Sequence, residues 1–351
     1  MFDLAIVIVN YNVCDLLRDC LESVYASTGV TFDVCVVDNA SPDDSAEMVA
    51  REFPEAHLIR NLENMGYAAA INLGLRYYGF RDQPHQGASQ GSGIRDRGSG
   101  IGDRPHWSAS QGSVGRNQSE TPALHAARQR GASVRNQKSE IPRYALLLNP
   151  DTVVPPDAFA RMIQLMDEHP DLGVSGPKLV RLDGSLDLAC RRGFPSVEVS
   201  FWRLTKLSKI FPRSRRFGRY NMTYLDPDQP AEIDSVVGAF MLVRRGAIEQ
   251  AGLLDETFWM YGEDLDWAYR IKQCGWKVYY YPPVVVKHVK RASSGQDNAG
   301  AAKAKYEFDR AMWLFYHKHY QATTSAPVDW LVKFGLGVKG GARLKEEMKK
   351  E

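Results

Sequence analysis

The sequence has no cysteine pair spaced as C-x-x-C; its five cysteines, Cys14, Cys20, Cys35, Cys190 and Cys274, are scattered. Scattered thiols argue against a zinc site and suit reduced core residues of a cytosolic protein. No run reaches the ~18 apolar residues that a membrane span requires. "FDLAIVIVNYN" has neither a basic leader nor a small-residue cleavage site, so no signal peptide is expected. Charge of one dominant sign is also missing: the net charge is +2 over 351 residues, which gives no global reason to expect nucleic acid as a partner. G-x-G-x-x-G does not follow the first apolar run and G-x-x-x-x-G-K-[ST] occurs nowhere, which sets aside dinucleotide oxidoreductases and P-loop enzymes. What is present is a chain with 44% hydrophobic residues, enough for one large α/β domain or two smaller ones.

The first eighty residues alternate. "DLAIVIV" (3–9) is a β-branched run that reads as a buried strand. In the next stretch Leu16, Leu17, Cys20, Leu21 and Val24 recur at helical spacing. "FDVCVVD" gives a second strand, then a turn and a helix that Ser41 or Asp43 would cap. "HLIRNLENMGYAAAINLGLRYY" adds a short strand and an Ala-rich helix. Strand, helix, strand, helix is the pattern of a parallel sheet. After "YALLLNPD" (144–151) come a helix in "AFARMIQLMDEHP", a strand in "GVSGPKLV" and a hairpin-rich stretch around "RLDGSLDLACRRGFPS". Residues 200–230 are basic and aromatic with weak periodicity. "YGEDLDWAYRIKQCG" opens a helix on carboxylates, "KVYYYPPVVVKHV" is an interrupted strand, and 300–320 is an aromatic-rich helix. The end, "DWLVKFGLGVKGGARLKEEMKK", is partly apolar and then basic. A plain helical tail is the simpler reading; contact with an anionic membrane surface is the alternative.

Residues 82–141 interrupt this order. They are rich in Gly, Ser, Arg and Gln, and they repeat: "ASQGS" occurs at 88–92 and 109–113, and "GRNQSE" at 115–120 is echoed by "VRNQKSE". The repeats offer few apolar positions to bury, so an ordered solenoid is not expected. The segment reads as a disordered, low-complexity insertion in a surface loop. The expected organisation is therefore 1–81, a nucleotide-binding half; 82–141, the insertion; 142–298, a metal, catalytic and acceptor half; and 299–351, a helical region.

Three polar clusters end apolar strands: Asn10-Tyr11-Asn12, Asp38-Asn39 and Asn149-Pro150-Asp151. Any strand ends in a polar turn, so each alone says little. In an open parallel sheet, however, ligands bind beyond the carboxyl ends of the strands, and all three would meet on one rim. With "NMGYAAAIN", which supplies Asn64, Gly66 and Asn72, they point to a nucleotide site. There Asp38 would accept hydrogen bonds from base or ribose, and Gly66 would let backbone approach closely. A nucleoside diphosphate held without a P-loop commonly uses a divalent cation, for which Asp151 is a candidate ligand; the competing reading is a structural turn. His288 follows Val284 and Val286 at period two and is either a core histidine or a further ligand. Lys287, Lys290, Arg291 and the pair Arg191-Arg192 would balance phosphate charge or line a solvated face. Glu263, Asp264 and Asp266 crowd one helical turn, where the dipole favours acids. Asp266 and Arg270 read as an i, i+4 pair. Glu263 and Asp264, beside Trp259 and Tyr261, would raise each other's pKa as a general base requires.

"IVIVNYN", "VVDNAS", "N-x-G-Y-A-A-A-I-N", "LLLNPD", "VVGAFMLVRR", "GEDLDWAYRIKQCGW" and the later "KH", in this order, resemble inverting family 2 glycosyltransferases. The rhamnosyltransferase-like branch, with "CRRGFPS", is the nearest flavour. The resemblance covers 3–81 and 144–291. It implies an α/β, GT-A (Rossmann-like) fold with a mostly parallel central sheet flanked by helices, a nucleotide-sugar donor and a divalent metal, Mg²⁺ or Mn²⁺. Asn149-Pro150-Asp151 stands where the family has D-x-D, with only the last acid present. Asp264 matches the base, Glu263 a contact to acceptor, His288 a metal ligand and Asp38 the reader of the nucleobase. The implied reaction transfers sugar to a lipid-linked or polysaccharide hydroxyl in the cytoplasm or at the inner membrane face, without nucleic acid. A dTDP-rhamnose donor follows from the branch; UDP- and GDP-sugars remain open. A sugar nucleotidyltransferase, or an inactive nucleotide-sugar-binding scaffold, is the rival reading.

Overall fold

The computed structural model describes residues 2–82, 141–289 and 298–350. Residues 83–140 of the expected insertion, together with Lys290 and Arg291, lie outside the described residues. Strand β1 (Leu4–Asn10) is buried along its whole length. It can be so apolar because helices cover both faces of the sheet it centres. It is followed by α1 (Cys14–Tyr25), β2 (Phe32–Asp38), α2 (Ser45–Glu52), β3 (His57–Arg60), α3 (Tyr67–Tyr77) and β4 (Tyr144–Leu148). The strands pair in parallel as β3-β2-β1-β4, so the chain order reverses between β1 and β4. This reversal opens a crevice at the carboxyl ends, the usual ligand position in such sheets. The register places Asn10 beside Asp38 and Ile8 beside Leu148, so all three polar clusters do emerge on one rim.

The second half adds β5 (Thr152–Val153), α4 (Ala158–Glu168), β6 (Leu172–Val180), α5 (Val197–Leu204), β7 (Ala231–Ile233), β8 (Phe240–Arg244), α6 (Arg245–Ala251), α7 (Glu263–Gln273) and β9 (Lys277–His288). The sheet continues β4-β8-β6-β9-β5, with β7 also on β9. Here β8 runs antiparallel to β4 and β6, and β5 and β7 antiparallel to β9. The α/β class holds, with the parallel pattern confined to the first four strands and the β6–β9 pair. "KVYYYPPVVVKH" is one strand with an interruption in its pairing, as expected. A register shift between Pro177 and Lys178 on β6 takes up Pro282-Pro283, which cannot donate to a ladder.

Two long helices follow, α8 (Asn298–His319) and α9 (Ala326–Glu347), the latter kinked at Gly341. They build a second apolar cluster around Trp313 and Phe315 that also takes in Phe258 and Leu265 of the site region. Neither Ser41 nor Asp43 is an N-cap in the expected sense. Asp43 instead accepts from Ser45 N of α2 (3.2 Å) and from Cys14 N of α1 (3.0 Å), pinning two helix starts at once. Of the cysteines, Cys20, Cys35 and Cys190 are buried as expected, whereas Cys274 is exposed.

Gly74 shows how closely α3 lies on β1. A Cβ there would stand 2.4 Å from Val7 Cγ1. Gly74→Ala gains about 1 kcal/mol of helix propensity, but overlap with a fully buried branched side chain costs about 1–3 kcal/mol. Urea unfolding should show Gly74→Ala destabilised in the wild-type background and neutral or stabilised in a Val7→Ala background. Stabilisation in both would show that the helix is not seated this closely.

Candidate active site

The rim begins with a hydrogen-bonded floor. Asn10 Nδ2 donates to Asp38 Oδ1 (3.0 Å) and Ser41 Oγ (3.0 Å), and Ser41 N donates to Asp38 Oδ2 (3.1 Å). Asn12, exposed and at φ 57°, contributes its backbone N–H to Ser41 Oγ (3.0 Å). Asp38 is thus oriented from both sides, while Asn10 Oδ1 is buried with no hydrogen-bond partner among the described residues. Next to it Asn39 staples the following loop. Its Nδ2 donates to Asn64 Oδ1 (2.9 Å) and Gly66 O (3.1 Å), and its Oδ1 accepts from Asn61 and Met65 N.

Two sequence candidates serve the framework instead. Asn72 is fully buried, and both its amide protons are taken, by Leu254 O and Glu256 Oε1 (2.9 Å each). Gly66 is required by packing: at φ 86° its Cβ would meet Trp259 O at 2.5 Å. Arg191 turns away too, donating to Leu225 O (3.0 Å) with its guanidinium over Tyr280. Its neighbour Arg192 is the one that enters the site. Lys287 is exposed on the opposite face of β9 from His288.

Period two puts His288 on the buried face of β9, and the β5–β9 bridge sets Thr152 opposite it. Asp151 Oδ1 therefore lies 3.3 Å from His288 Nε2. His288 Nδ1 meets Asp187 Oδ2 at 2.9 Å, and Asp187 is itself buried and held by Ala189 N. The residue types fit a divalent cation. A carboxylate and an imidazole nitrogen face each other, and a second carboxylate fixes the ring from behind, the usual support of a ligating histidine. Among the described residues no three His, Cys, Asp or Glu side chains are arranged to hold a metal ion together, so phosphate oxygens would complete the shell. Burial pulls the His288 pKa down, but hydrogen bonds to Asp151 and Asp187 outweigh it and carry it up to about 9. Asp187 was not among the sequence candidates. In "RLDGSLDLACRR" it reads as hairpin polarity, and only the fold shows its partner.

At the other side α7 begins with three acids in three environments. Asp264 Oδ2 accepts from Arg192 Nη2 (2.7 Å) and Gly238 N (2.9 Å), and Oδ1 from Leu265 N (2.7 Å). Glu263 is buried with Oε2 unpartnered among the described residues. Its pKa rises to about 8, first through burial and then through the charge of Asp264. Asp266, fully buried, takes Arg270 Nε (2.8 Å), His319 Nε2 (2.7 Å) and Lys318 Nζ (2.8 Å) and is structural, as the i, i+4 spacing implied.

Tyr67 joins the two sides. Its hydroxyl lies 3.3 Å from both Asn149 Oδ1 and Gly238 O, and the Gly238 N–H is the donor to Asp264. The Tyr67 phenol is driven well above its usual pKa by burial, then by Glu263, Asp264 and Asp151 together. One partly buried phenol feels all three acids. The tyrosine was visible inside "NMGYAAAIN" but gave no local sign of its role.

Residues 5–78 match a profile described as glycosyl transferase family 2, and residues 113–305 one described as glycosyltransferase like family 2. An N-acetylglucosaminyl-diphospho-decaprenol L-rhamnosyltransferase of Mycobacterium tuberculosis is 22% identical over 347 residues, covering 99% of this chain and 94% of the relative. A probable N-acetylgalactosaminyltransferase 6 of Caenorhabditis elegans is 32% identical over 102 residues, 27% of this chain and 16% of that one. Among solved structures, GalNAc-T7 with UDP, GalNAc and Mn²⁺ superposes with a TM-score of 0.52 at 15% identity. It covers 95% of this chain, which spans 54% of that structure, and the likeness concerns the fold.

Glu263 makes stability depend on pH. Its folded pKa lies above the ordinary glutamate value, so the folded state keeps a proton that the unfolded chain releases. That contribution is complete below the ordinary value and is lost as pH rises towards about 8. Melting curves from pH 5 to 8.5 should show the wild type losing stability more steeply than Glu263→Gln. Parallel profiles would show that Glu263 is ionised in the folded protein.

Proposed function

The chain belongs to the family 2 glycosyltransferases and has their GT-A fold, and from that premise we propose an inverting transfer assisted by a divalent cation. The donor is a nucleoside diphosphate sugar, and the acceptor a hydroxyl on a lipid-linked or polysaccharide glycan. L-Rhamnose and a diphospho-polyprenol acceptor are favoured by the likeness to the near full-length Mycobacterium rhamnosyltransferase. Mg²⁺ or Mn²⁺ is favoured by the Asp151–His288 pair and by the Mn²⁺ that accompanies UDP in GalNAc-T7. The observation that carries the reading is the Tyr67–Gly238 junction, which ties the strand end bearing Asn149 and Asp151 to the helix start bearing Asp264.

The roles follow from the partners each side chain has. Asp38, aligned by Asn10 and Ser41, receives the nucleobase, while Asn39, Asn64 and the backbone at Gly66 shape the loop beside it. Asp151 and His288 hold the cation, and Asp187 fixes the imidazole. When bound, such an ion offsets the negative charge that gathers on the departing diphosphate. Asp264 is the proton acceptor: Arg192 and two backbone N–H groups hold its carboxylate in a fixed orientation. It takes the proton of the acceptor hydroxyl as that oxygen attacks the anomeric carbon opposite the leaving group. Glu263, neutral at neutral pH, contacts acceptor as a hydrogen-bond donor. These acids in their paired environments disfavour an inactive scaffold, and the Asn10-Tyr11-Asn12 turn lacks the Gly- and Arg/Lys-rich loop of sugar nucleotidyltransferases.

Asp264→Asn should lower transfer about 10²–10⁴-fold and leave the Kd for the donor nucleotide within a factor of two or three, by calorimetry on protein of native circular dichroism. Equal loss of donor binding would remove Asp264 from the role of base.

A further inference from the structure

Between Glu198 and Asp226 the chain carries seven basic residues and no acid. The segment leaves the catalytic rim and returns to it. Arg192, the partner of Asp264, precedes Gly193, whose N–H donates to Tyr220 O at 2.8 Å and closes the base of the excursion. Inside it, Ser196 caps α5 by accepting from Val199 N (3.3 Å), and the chain reverses at Lys206, φ 62°. Trp202 and Phe211 then pack on Phe217. The excursion therefore has a defined shape, held by its own aromatics.

Several large apolar side chains remain exposed on the excursion, although Phe211 touches Phe217 and Phe201 touches Trp202. Phe201, Leu204, Ile210 and Phe211 are 51%, 72%, 64% and 50% exposed. Single exposed apolar residues are ordinary; four large ones on one short excursion are not. Arg216 pairs with Glu198 and Arg203 lies over Tyr220. Lys206, Lys209, Arg213 and Arg215 have no carboxylate in ion-pair reach among the described residues. Exposed aliphatic and aromatic side chains interleaved with free cations are what an anionic bilayer surface binds.

We propose that residues 201–216 dock the protein on an anionic phospholipid surface, with the apolar side chains entering the headgroup boundary and the cations at lipid phosphates. A nucleic acid would engage the cations but gain nothing from Leu204 and Ile210. A second copy would set like charge against like. The C-terminal helix, which the sequence offered as the membrane element, also exposes Trp330, Leu331, Phe334 and Val338. Two of its three lysines are internally paired, however, Lys333 with Asp329 (2.9 Å) and Lys339 with Asp309 (3.0 Å). The docking goes beyond the transferase reading and does not require it. If both hold, the membrane carries the acceptor to the rim where Arg192 and Asp264 meet.

Flotation of the full chain, without donor, on phosphatidylcholine vesicles with and without one quarter phosphatidylglycerol tests this. Binding should require the anionic lipid and weaken with salt. It should fall at least tenfold in Leu204→Ser/Ile210→Ser and, separately, in Lys206→Glu/Lys209→Glu, and persist in Trp330→Ser/Phe334→Ser. Thermal melting of each variant checks folding, and the two excursion variants change different chemistry, so one remains informative if the other unfolds. No binding to either vesicle, binding unchanged in both excursion variants, or binding lost only in the C-terminal variant would overturn the proposal. So would tighter binding to an oligonucleotide than to anionic vesicles, insensitive to Leu204→Ser/Ile210→Ser. Donor hydrolysis by the excursion variants reports on the transferase site separately.

Discussion

The peptide at Gly238 is the hinge of the site. Its carbonyl accepts from Tyr67 and its N–H donates to Asp264, so the two peptide planes that meet at its Cα tie two halves of the chain together. A side chain at 238 would press on the Tyr67 ring, with a Cβ 3.3 Å from the hydroxyl. Tyr67 in turn reaches Asn149, and Asn149 is tied back by its N–H to Ala239 O (3.1 Å), next to Gly238 itself. The loop before β8 thereby locks the end of β4 to the start of α7. The antiparallel insertion of β8 between β4 and β6 is what brings that loop to the rim.

The three acids at the start of α7 illustrate how environment outranks residue type. Helix-dipole complementation acts on all of them equally, yet their states diverge. Burial raises the Asp266 carboxyl, but His319, Arg270 and Lys318 outweigh it and hold it well below the usual range. Asp264 has Arg192 and two amides; Glu263 has burial and a charged neighbour. The expected mutual raising of two adjacent acids is therefore seen at Glu263. The clasp on Asp266 also gives the C-terminal helices a task in the site. Through Lys318 and His319, α8 anchors the first turn of α7 from behind, and Arg310 adds a bond to Thr257 O (2.7 Å).

Much of the fold was legible because its signals are local. Continuous apolar runs located β1 and β2, helical spacing located α1 and an Ala-rich stretch α3, and parallel strand order follows from their alternation. The strand-end clusters at Asn10, Asp38 and Asn149 were legible for the same reason, and their meeting on one rim is a consequence of register. What could not be read depends on contacts between distant segments. Asn72 and Gly66 carry the look of ligand residues but answer to Leu254, Glu256 and Trp259. Arg191 and Arg192 are adjacent and chemically identical, and only the strand bridge at Ser235 turns the second one inward. Asp187 and Tyr67 matter through partners far along the chain, so no spacing rule marks them.

The central claim is that His288 and Asp151 form a cation site completed by a diphosphate. Pulsed electron paramagnetic resonance of Mn²⁺, added with a nucleoside diphosphate, tests it directly. The account predicts modulation from a coordinated imidazole nitrogen in the wild type and its disappearance in His288→Gln. Bound Mn²⁺ with no nitrogen coupling, or a signal unchanged by that substitution, would contradict it.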